Sequence, residues 1–223
     1  MRIVLMGPPG SGKGTQGDLI ARHYGLPRIC TGDLLRRAVQ DGTPLGKRAQ
    51  DLMGKGDLVS DDIVEALVRE RIASQDCAGG YVLDGFPRTI GQALSLEVMD
   101  GGPPDIVIGI DVRPDTLIHR LSLRRVCSSC QAVFNAETRP SGAKDRCDAC
   151  GGVLVRRQDD SPDVIRERIR VYHEQTEKLE DYYRRKNAFH NVDGEGTIEE
   201  TFDKIVRILD SKVVASREGR RIR

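Results

Sequence analysis

Short apolar runs alternate along this chain with longer stretches in which apolar residues recur every three or four places. Ile3 to Met6 is the first run, and it leads straight into a glycine-rich turn. A strand buried on both faces reads this way. Lys13 to Tyr24 follows with helical spacing through Leu19, Ile20 and His23, and Gly25 stands where such a helix would stop. Tyr81–Leu83 and Ile106–Ile110 are further apolar runs suited to buried parallel strands, and Phe189–Val192 is another candidate.

Helix starts are marked between these runs. Thr31 can cap one helix, with Asp33 in its first turn, and Ser60 can cap another, followed by Asp61 and Asp62. Pro114 suits the first turn of a segment reaching about Leu121. Ser161-Pro162-Asp163 opens a long helix whose apolar stripe is Ile165, Ile169, Tyr172, Leu179 and Tyr183. Thr197 with Glu200 forms a capping box for the last helix. Strands alternating with helices predict an α/β fold around a parallel sheet. Two regions break the rhythm. Cys30 to Val59 reads as all helical, and Arg124 to Asp160 is polar, turn-rich and cysteine-bearing, so both read as inserts. The polar, basic end at Ser216–Arg223 is expected to fray.

The length, 223 residues, suits one large domain or a core with small inserts, and 38% hydrophobic residues suffice for a buried core. Lys and Arg total 35 against 34 Asp and Glu, which argues against a general nucleic-acid or membrane-surface binder. No apolar stretch is long enough to span a bilayer, and Met1-Arg2 with its short apolar run does not make a signal peptide. A cytoplasmic protein is therefore expected. Six cysteines in such a chain point to metal or buried thiols rather than disulfides.

Gly7-Pro8-Pro9-Gly10-Ser11-Gly12-Lys13 fits G-x-x-x-x-G-K between a strand and a helix, the context this phosphate loop requires. Its glycines allow a tight nest whose N–H groups face an anion, and Lys13 adds charge at the transferred phosphate. An ordinary Gly/Pro turn is the competing reading, and the lysine and flanking elements together disfavour it. Where the general motif has Ser or Thr, this chain has Gly14, and Thr15 comes one place later.

The string from Gly7 to Thr15 resembles the loop of adenylate-kinase-type nucleoside monophosphate kinases. Thr31-Gly32-Asp33 with Arg36 resembles that family's AMP segment. Asp84-Gly85-Phe86-Pro87-Arg88-Thr89 with Gln92 resembles its signature at the end of a core strand. Arg120-x-x-x-Arg124-Arg125, and Arg157-x-Asp159-Asp160 followed by Arg168, resemble its arginine clamps. The resemblance implies a P-loop NTPase core with a five-stranded parallel sheet flanked by helices, a helical NMP-binding insert and a small zinc-bound lid. It implies transfer of a phosphoryl group from MgATP to AMP, with magnesium held largely through ATP phosphates and water. Gly10, Ser11, Gly12, Lys13, Gly14 and Thr15 would hold ATP, joined by Arg124, Val133, Phe134 and Gly196. Arg36, Arg88, Arg157 and Arg168 would hold AMP phosphate or the moving group. Asp84 would orient magnesium-bound water. Thr31, Met53, Asp57, Leu58, Val59 and Gln92, with Gly85, Phe86 and Pro87, would surround AMP. Phosphoryl transfer needs mainly positioning and spread positive charge, and arginine forks supply both.

Gln92 can donate and accept, which suits an adenine edge. Uridylate and cytidylate kinases share much of this pattern but usually carry Asn at the position of Thr89, so AMP leads and a pyrimidine monophosphate follows. Met53 could instead be plain helix packing.

Cys127-x2-Cys130 and Cys147-x2-Cys150, sixteen residues apart, have zinc-site spacing. Four thiolates make a closed, structural site, which suits a segment with few apolar residues. Cys30 and Cys77 lack such partners and read as buried thiols. Gln131 stands where the resembled lids usually have glycine, and Phe134 where they have the tyrosine near ATP. Phe134 can still stack on adenine. The expected division is a core of residues 1–29, 60–122 and 161–223, an NMP-binding insert 30–59 and a zinc lid 123–160. The chain is expected to act as a monomer on ATP and AMP, with no nucleic-acid or membrane partner. The rival from another class is a P-loop switch or zinc-ribbon nucleic-acid module without kinase turnover.

Overall fold

The chain runs in order through β1 (Arg2–Met6) and, past the glycine-rich turn, α1 (Lys13–Tyr24). β2 (Arg28–Cys30) feeds α2 (Thr31–Gln40), α3 (Pro44–Lys55) and α4 (Asp61–Ile72). β3 (Tyr81–Asp84), α5 (Ile90–Asp100), β4 (Ile106–Asp111) and α6 (Pro114–Ser122) follow. Next come β5 (Arg124–Cys127), β6 (Val133–Asn135) and β7 (Leu154–Val155). Last are α7 (Pro162–Val171), α8 (Lys178–Arg185), β8 (Phe189–Asp193) and α9 (Ile198–Arg221). This computed structural model describes residues 1–221, apart from the side chains of Gln158 and of residues 213–221. The end expected to fray, Ser216–Arg223, has helical backbone to Arg221, and its last two residues lie outside the described residues.

Five strands form a parallel sheet in the order β2-β3-β1-β4-β8. The register sets Ile3 beside Val82 and Ile106, and Val107 beside Phe189. Successive residues of β1 enter opposite cores. Val4 and Met6 join Leu83, Val107, Leu96 and Tyr183 on one side, and Ile3 and Leu5 join Ile108, Ile20, Leu117 and Leu209 on the other. Ile3 and Val4 are fully buried, each worth about 1.5–3 kcal/mol relative to exposure. This is why the sheet-forming runs look apolar at every position rather than at every second one.

Four departures from expectation stand out. β2 is a fifth strand that no apolar run announces, because only Ile29 of its three residues is buried; Cys30, expected to open a helical insert, ends this strand instead. Thr31 does not cap α2. Its hydroxyl donates to Gly85 O at 2.9 Å and so fastens the start of α2 to the end of β3. Ser60 holds the N-cap position of α4 without a capping bond, because its hydroxyl turns to the Asp62 carboxylate and pulls that group below its ordinary range. The helix expected after Ser161 carries a π turn over Tyr172–Thr176, closed by Glu177 N donating to Tyr172 O at 3.0 Å. Its apolar stripe therefore splits: Ile169 packs on one core, Leu179 and Tyr183 on the other. The capping box is formed as expected, with Thr197 N donating to Glu200 and Glu200 N donating to Thr197 Oγ1.

The cysteine-bearing region is an antiparallel sheet in the order β6-β5-β7. Each Cys-x2-Cys pair closes a turn, with Gln131 N donating to Cys127 O and Gly151 N to Cys147 O. The residue after each pair is left-handed, Gln131 at φ 62 and Gly151 at φ 71. Among the described residues no helix is long and apolar enough to cross a membrane.

The helical insert rests on one close crossing. A Cβ on Gly46 of α3 would lie 2.0 Å from Ala38 O of α2. That carbonyl accepts from Thr43 N and Thr43 Oγ1, both at 3.1 Å. Gly54, on the same helix, faces open space. Gly46→Ala is expected to lower stability in urea by about 2–3 kcal/mol through overpacking. Gly54→Ala should be neutral or stabilising by up to about 1 kcal/mol; equal effects would remove the crossing as the cause.

Candidate active site

The carboxyl ends of β1, β2 and β3 open into one cleft of about 490 Å³. β1 delivers the glycine-rich turn. Gly10 and Gly12 sit at φ 87 and 99, which residues with side chains seldom adopt. A Cβ on Gly10 would also lie 2.9 Å from the Leu121 side chain, so α6 packs directly under the loop. Gly12 takes the N-cap place of α1 with no side-chain cap. The first N–H groups of α1 are therefore left for an anion. Lys13 is half-buried and donates to Gly7 O at 2.7 Å and Pro8 O at 2.8 Å. Burial lowers its pKa to about 8, with Asp84 opposing and Arg88 and Arg168 assisting.

Gly10 to Thr15, Asp84, Arg88, Arg124, Arg157, Arg168 and Gly196 all line this cleft, as do Val133 and Phe134 from the cysteine-bearing sheet. A smaller recess of about 60 Å³ adjoins it, lined by Thr31, Arg36, Met53, Asp57, Leu58, Val59, Gly85 and Gln92. Pro87 reaches the larger cleft. Phe86 does not reach either cavity; its ring is fully buried in the core beneath them. Met53 both lines the recess and packs on the core. Cys77 is buried as expected, whereas Cys30 is half-buried and opens to the cleft from the carboxyl end of β2.

The two residues on which the choice of acceptor was read, Thr89 and Gln92, have structural work as well. Thr89 N-caps α5, accepting from Gln92 N at 3.2 Å and donating to Asp61 Oδ2 at 3.0 Å. The Gln92 amide accepts from Arg88 N at 2.7 Å and donates to Asp61 Oδ1 at 2.6 Å. Asp61 therefore orients Thr89 and Gln92, a role that its place in a helix first turn did not reveal.

The arginines divide by partner. Arg124 grips Asp160 through two nitrogens, one at 2.7 Å, and Arg168 reaches Asp159 at 3.0 Å and Asp160 at 3.2 Å. Arg36 pairs with Asp33. Among the described residues, no carboxylate forms an ion pair with Arg88 or Arg157. Burial, then the charges of Arg36 and Arg124, lower the pKa of Arg157 to about 10, and its Nε is a buried donor without a partner. Burial likewise pulls Arg88 down. Burial works to raise Asp159, but Arg168, Arg157 and Arg124 hold it below its ordinary range. Such a cavity favours a polyanion. Sequence reading passed over Arg28, whose Nη2 lies 2.8 Å from Asp84 Oδ2.

The four cysteines Cys127, Cys130, Cys147 and Cys150 place their sulfurs within 4.8 Å of one another. The shortest separations are 3.4 Å for Cys127–Cys150 and 3.5 Å for Cys130–Cys147. A tetrahedral ion bonded at about 2.3 Å sets sulfurs about 3.8 Å apart, so this set can hold one. Backbone N–H groups of Cys130 and Ser129 point at Cys127 Sγ and bring its thiol down to about 6. Phe134 packs on Cys127 and Cys147, with the Arg139 guanidinium 5.7 Å from its ring centroid.

A model of the family described as adenylate kinase matches residues 5–188. The adenylate kinase of Thermodesulfovibrio yellowstonii is 46% identical over 215 residues, covering 95% of this chain and all of that protein. Those of Archaeoglobus fulgidus and Trichlorobacter lovleyi are 44% and 47% identical, each over 94% of this chain and 98% and 99% of the relative.

Asp160 is wholly buried between two arginines. Asp160→Ala is expected to lower stability by about 3 kcal/mol, read from urea unfolding, because it leaves Arg124 and Arg168 facing each other without their shared carboxylate. A loss under about 1 kcal/mol would show that solvent already screens this hub.

Proposed function

Because this chain belongs to the adenylate kinase family, we propose that its cleft performs reversible, direct in-line transfer of the terminal phosphoryl group of MgATP to AMP, giving two ADP. The observation that carries this reading is the meeting of the phosphate loop with two arginines, Arg88 and Arg157, that have no paired carboxylate among the described residues. Fixed cations without a paired carboxylate are what a transition state with charge spread over equatorial oxygens requires.

In this reading the ATP phosphates lie on the N–H groups of Gly10 to Thr15 and on Lys13, which exchanges the carbonyls of Gly7 and Pro8 for phosphate oxygens. Arg124, Val133, Phe134 and Gly196 complete the ATP side. AMP occupies the smaller recess among Thr31, Arg36, Met53, Asp57, Leu58, Val59, Gly85 and Gln92, with Pro87 at its mouth. Phe86 supports that wall from the core. Arg88, Arg157 and Arg168 stand between the two sites, where the phosphoryl group moves. Magnesium arrives with ATP, and Asp84 is the carboxylate placed to orient its water shell. No side chain acts as a nucleophile.

The division into a core (1–29, 60–122, 161–223), an AMP-binding insert (30–59) and a lid (123–160) follows the same reading. Closing the insert and lid on the core would exclude water, the unwanted acceptor. Zinc suits the four thiolates of the lid, because a closed four-sulfur set has no open position for chemistry. When bound it supplies a structural crosslink. Near-balanced charge and the family's habit support a cytoplasmic monomer without a nucleic-acid or membrane partner.

ADP formation from MgATP with AMP, UMP, CMP, GMP or dTMP tests the acceptor. A strong preference for AMP is expected; preference for UMP or CMP would overturn the assignment of the base recess while keeping the chemistry. Lys13→Met should cut kcat at least about a hundredfold, and unchanged turnover would remove Lys13 from the mechanism.

Metal analysis of the purified chain is expected to give about one zinc. Stripping it with a strong chelator should lower the melting temperature. A metal-free chain of undiminished stability would remove zinc from the lid.

A further inference from the structure

Arg28 lies on the edge strand β2, outside every motif the sequence offered, yet its head group reaches the floor of the cleft. Nη2 donates to Asp84 Oδ2 at 2.8 Å, and Nη1 donates to Asp18 Oδ1 at 3.1 Å. Asp33 Oδ2 stands 3.9 Å from Nη1. Nε is buried without a partner.

The path of this side chain across α1 is permitted by two glycines. A Cβ on Gly17 would lie 3.1 Å from Arg28 Cδ and Nε. A Cβ on Gly14 would lie 3.2 Å from Arg28 Nη2 and 3.8 Å from Asp84 Oδ2. Position 14 follows the loop lysine, and the general phosphate-loop motif places there the hydroxyl that binds magnesium. In this chain the space beside that position holds a guanidinium instead.

We propose that Arg28 is a positioning residue that sets how strongly this cleft depends on the divalent cation accompanying ATP. It acts in two ways that share one direction, the first of them through Asp84. It occupies Oδ2, leaving Oδ1 as the oxygen open to a metal's water shell. It also adds a fixed cation beside the phosphate loop, which favours the metal-free nucleotide relative to the metal complex. This inference rests on the reading of Asp84 as the metal-facing carboxylate.

The test compares calorimetric affinities for ATP in EDTA and for MgATP. The ratio of the two dissociation constants is the readout, since a purely structural residue would weaken both forms alike. In Arg28→Gln the preference for MgATP is expected to rise at least about fivefold, a shift of about 1 kcal/mol. Arg28→Lys keeps the charge and should return most of the original ratio, although it cannot bridge Asp84 and Asp18 with one planar fork. An unchanged ratio in Arg28→Gln, with Asp84→Asn reducing the preference for MgATP, would overturn the role of Arg28 alone. A ratio unmoved by Asp84→Asn as well would overturn the reading of Asp84, and the role of Arg28 with it.

Discussion

Like charges held close together in a partly dry cleft are the constraint on which this molecule turns. Lys13, Arg36, Arg88, Arg124, Arg157 and Arg168 approach from the phosphate loop, the helical insert, the end of β3, the lid and α7. Two such charges 4 Å apart repel by about 4 kcal/mol at an effective dielectric of 20. Without a polyanion to answer them, they would push these segments apart. Asp33, Asp159 and Asp160 take up part of that repulsion. Arg157, which has no carboxylate in an ion pair with it among the described residues, has its pKa pulled down to about 10 by burial first and by the neighbouring Arg36 and Arg124 charges second.

The fold answers with rigid delivery from beneath and shared carboxylates from the side. The sheet holds the loop and Asp84 on strands whose residues are packed on both faces, so neither can retreat. The insert is fastened to the same floor by Thr31, through the Gly85 carbonyl. Asp160 joins β5 to α7 by accepting from both Arg124 and Arg168. The orientation of the cysteine-bearing sheet is thereby tied to the arginines that line the cleft.

How much of this could be read in the sequence depended on how local each signal was. Strands apolar at every position were legible, because burial on both sheet faces leaves no alternation to decode. β2 was not, since Ile29 is its only buried residue and pairing with β3, not apolarity, defines it. The lid strands were equally hidden, being two to four residues long and organised around sulfur. The phosphate loop was legible as one contiguous string. The arginines were legible only as a resemblance, because nothing in an isolated Arg-x-Asp-Asp says which arginine stays unpaired. Arg28 had no signal, as its partner Asp84 lies 56 residues away. Thr31 and Gln92 were read as polar residues near a base, and in the structure both brace the backbone that shapes the recess.

The π turn at Tyr172–Thr176 carries a further implication. It joins two helical segments whose apolar residues enter cores on opposite sides of the sheet, Ile169 in one and Leu179 with Tyr183 in the other. A plain α-helix through the same span would rotate one segment by about 100° for each residue gained or lost. The turn thus acts as a phase adjuster between two otherwise independent amphipathic helices. Single-residue insertions and deletions elsewhere on the surface would trim a loop. Here one would leave both helices well formed and turn either Arg168 from the cleft or Tyr183 from the core. The length of this segment is consequently under tighter constraint than its residue identities.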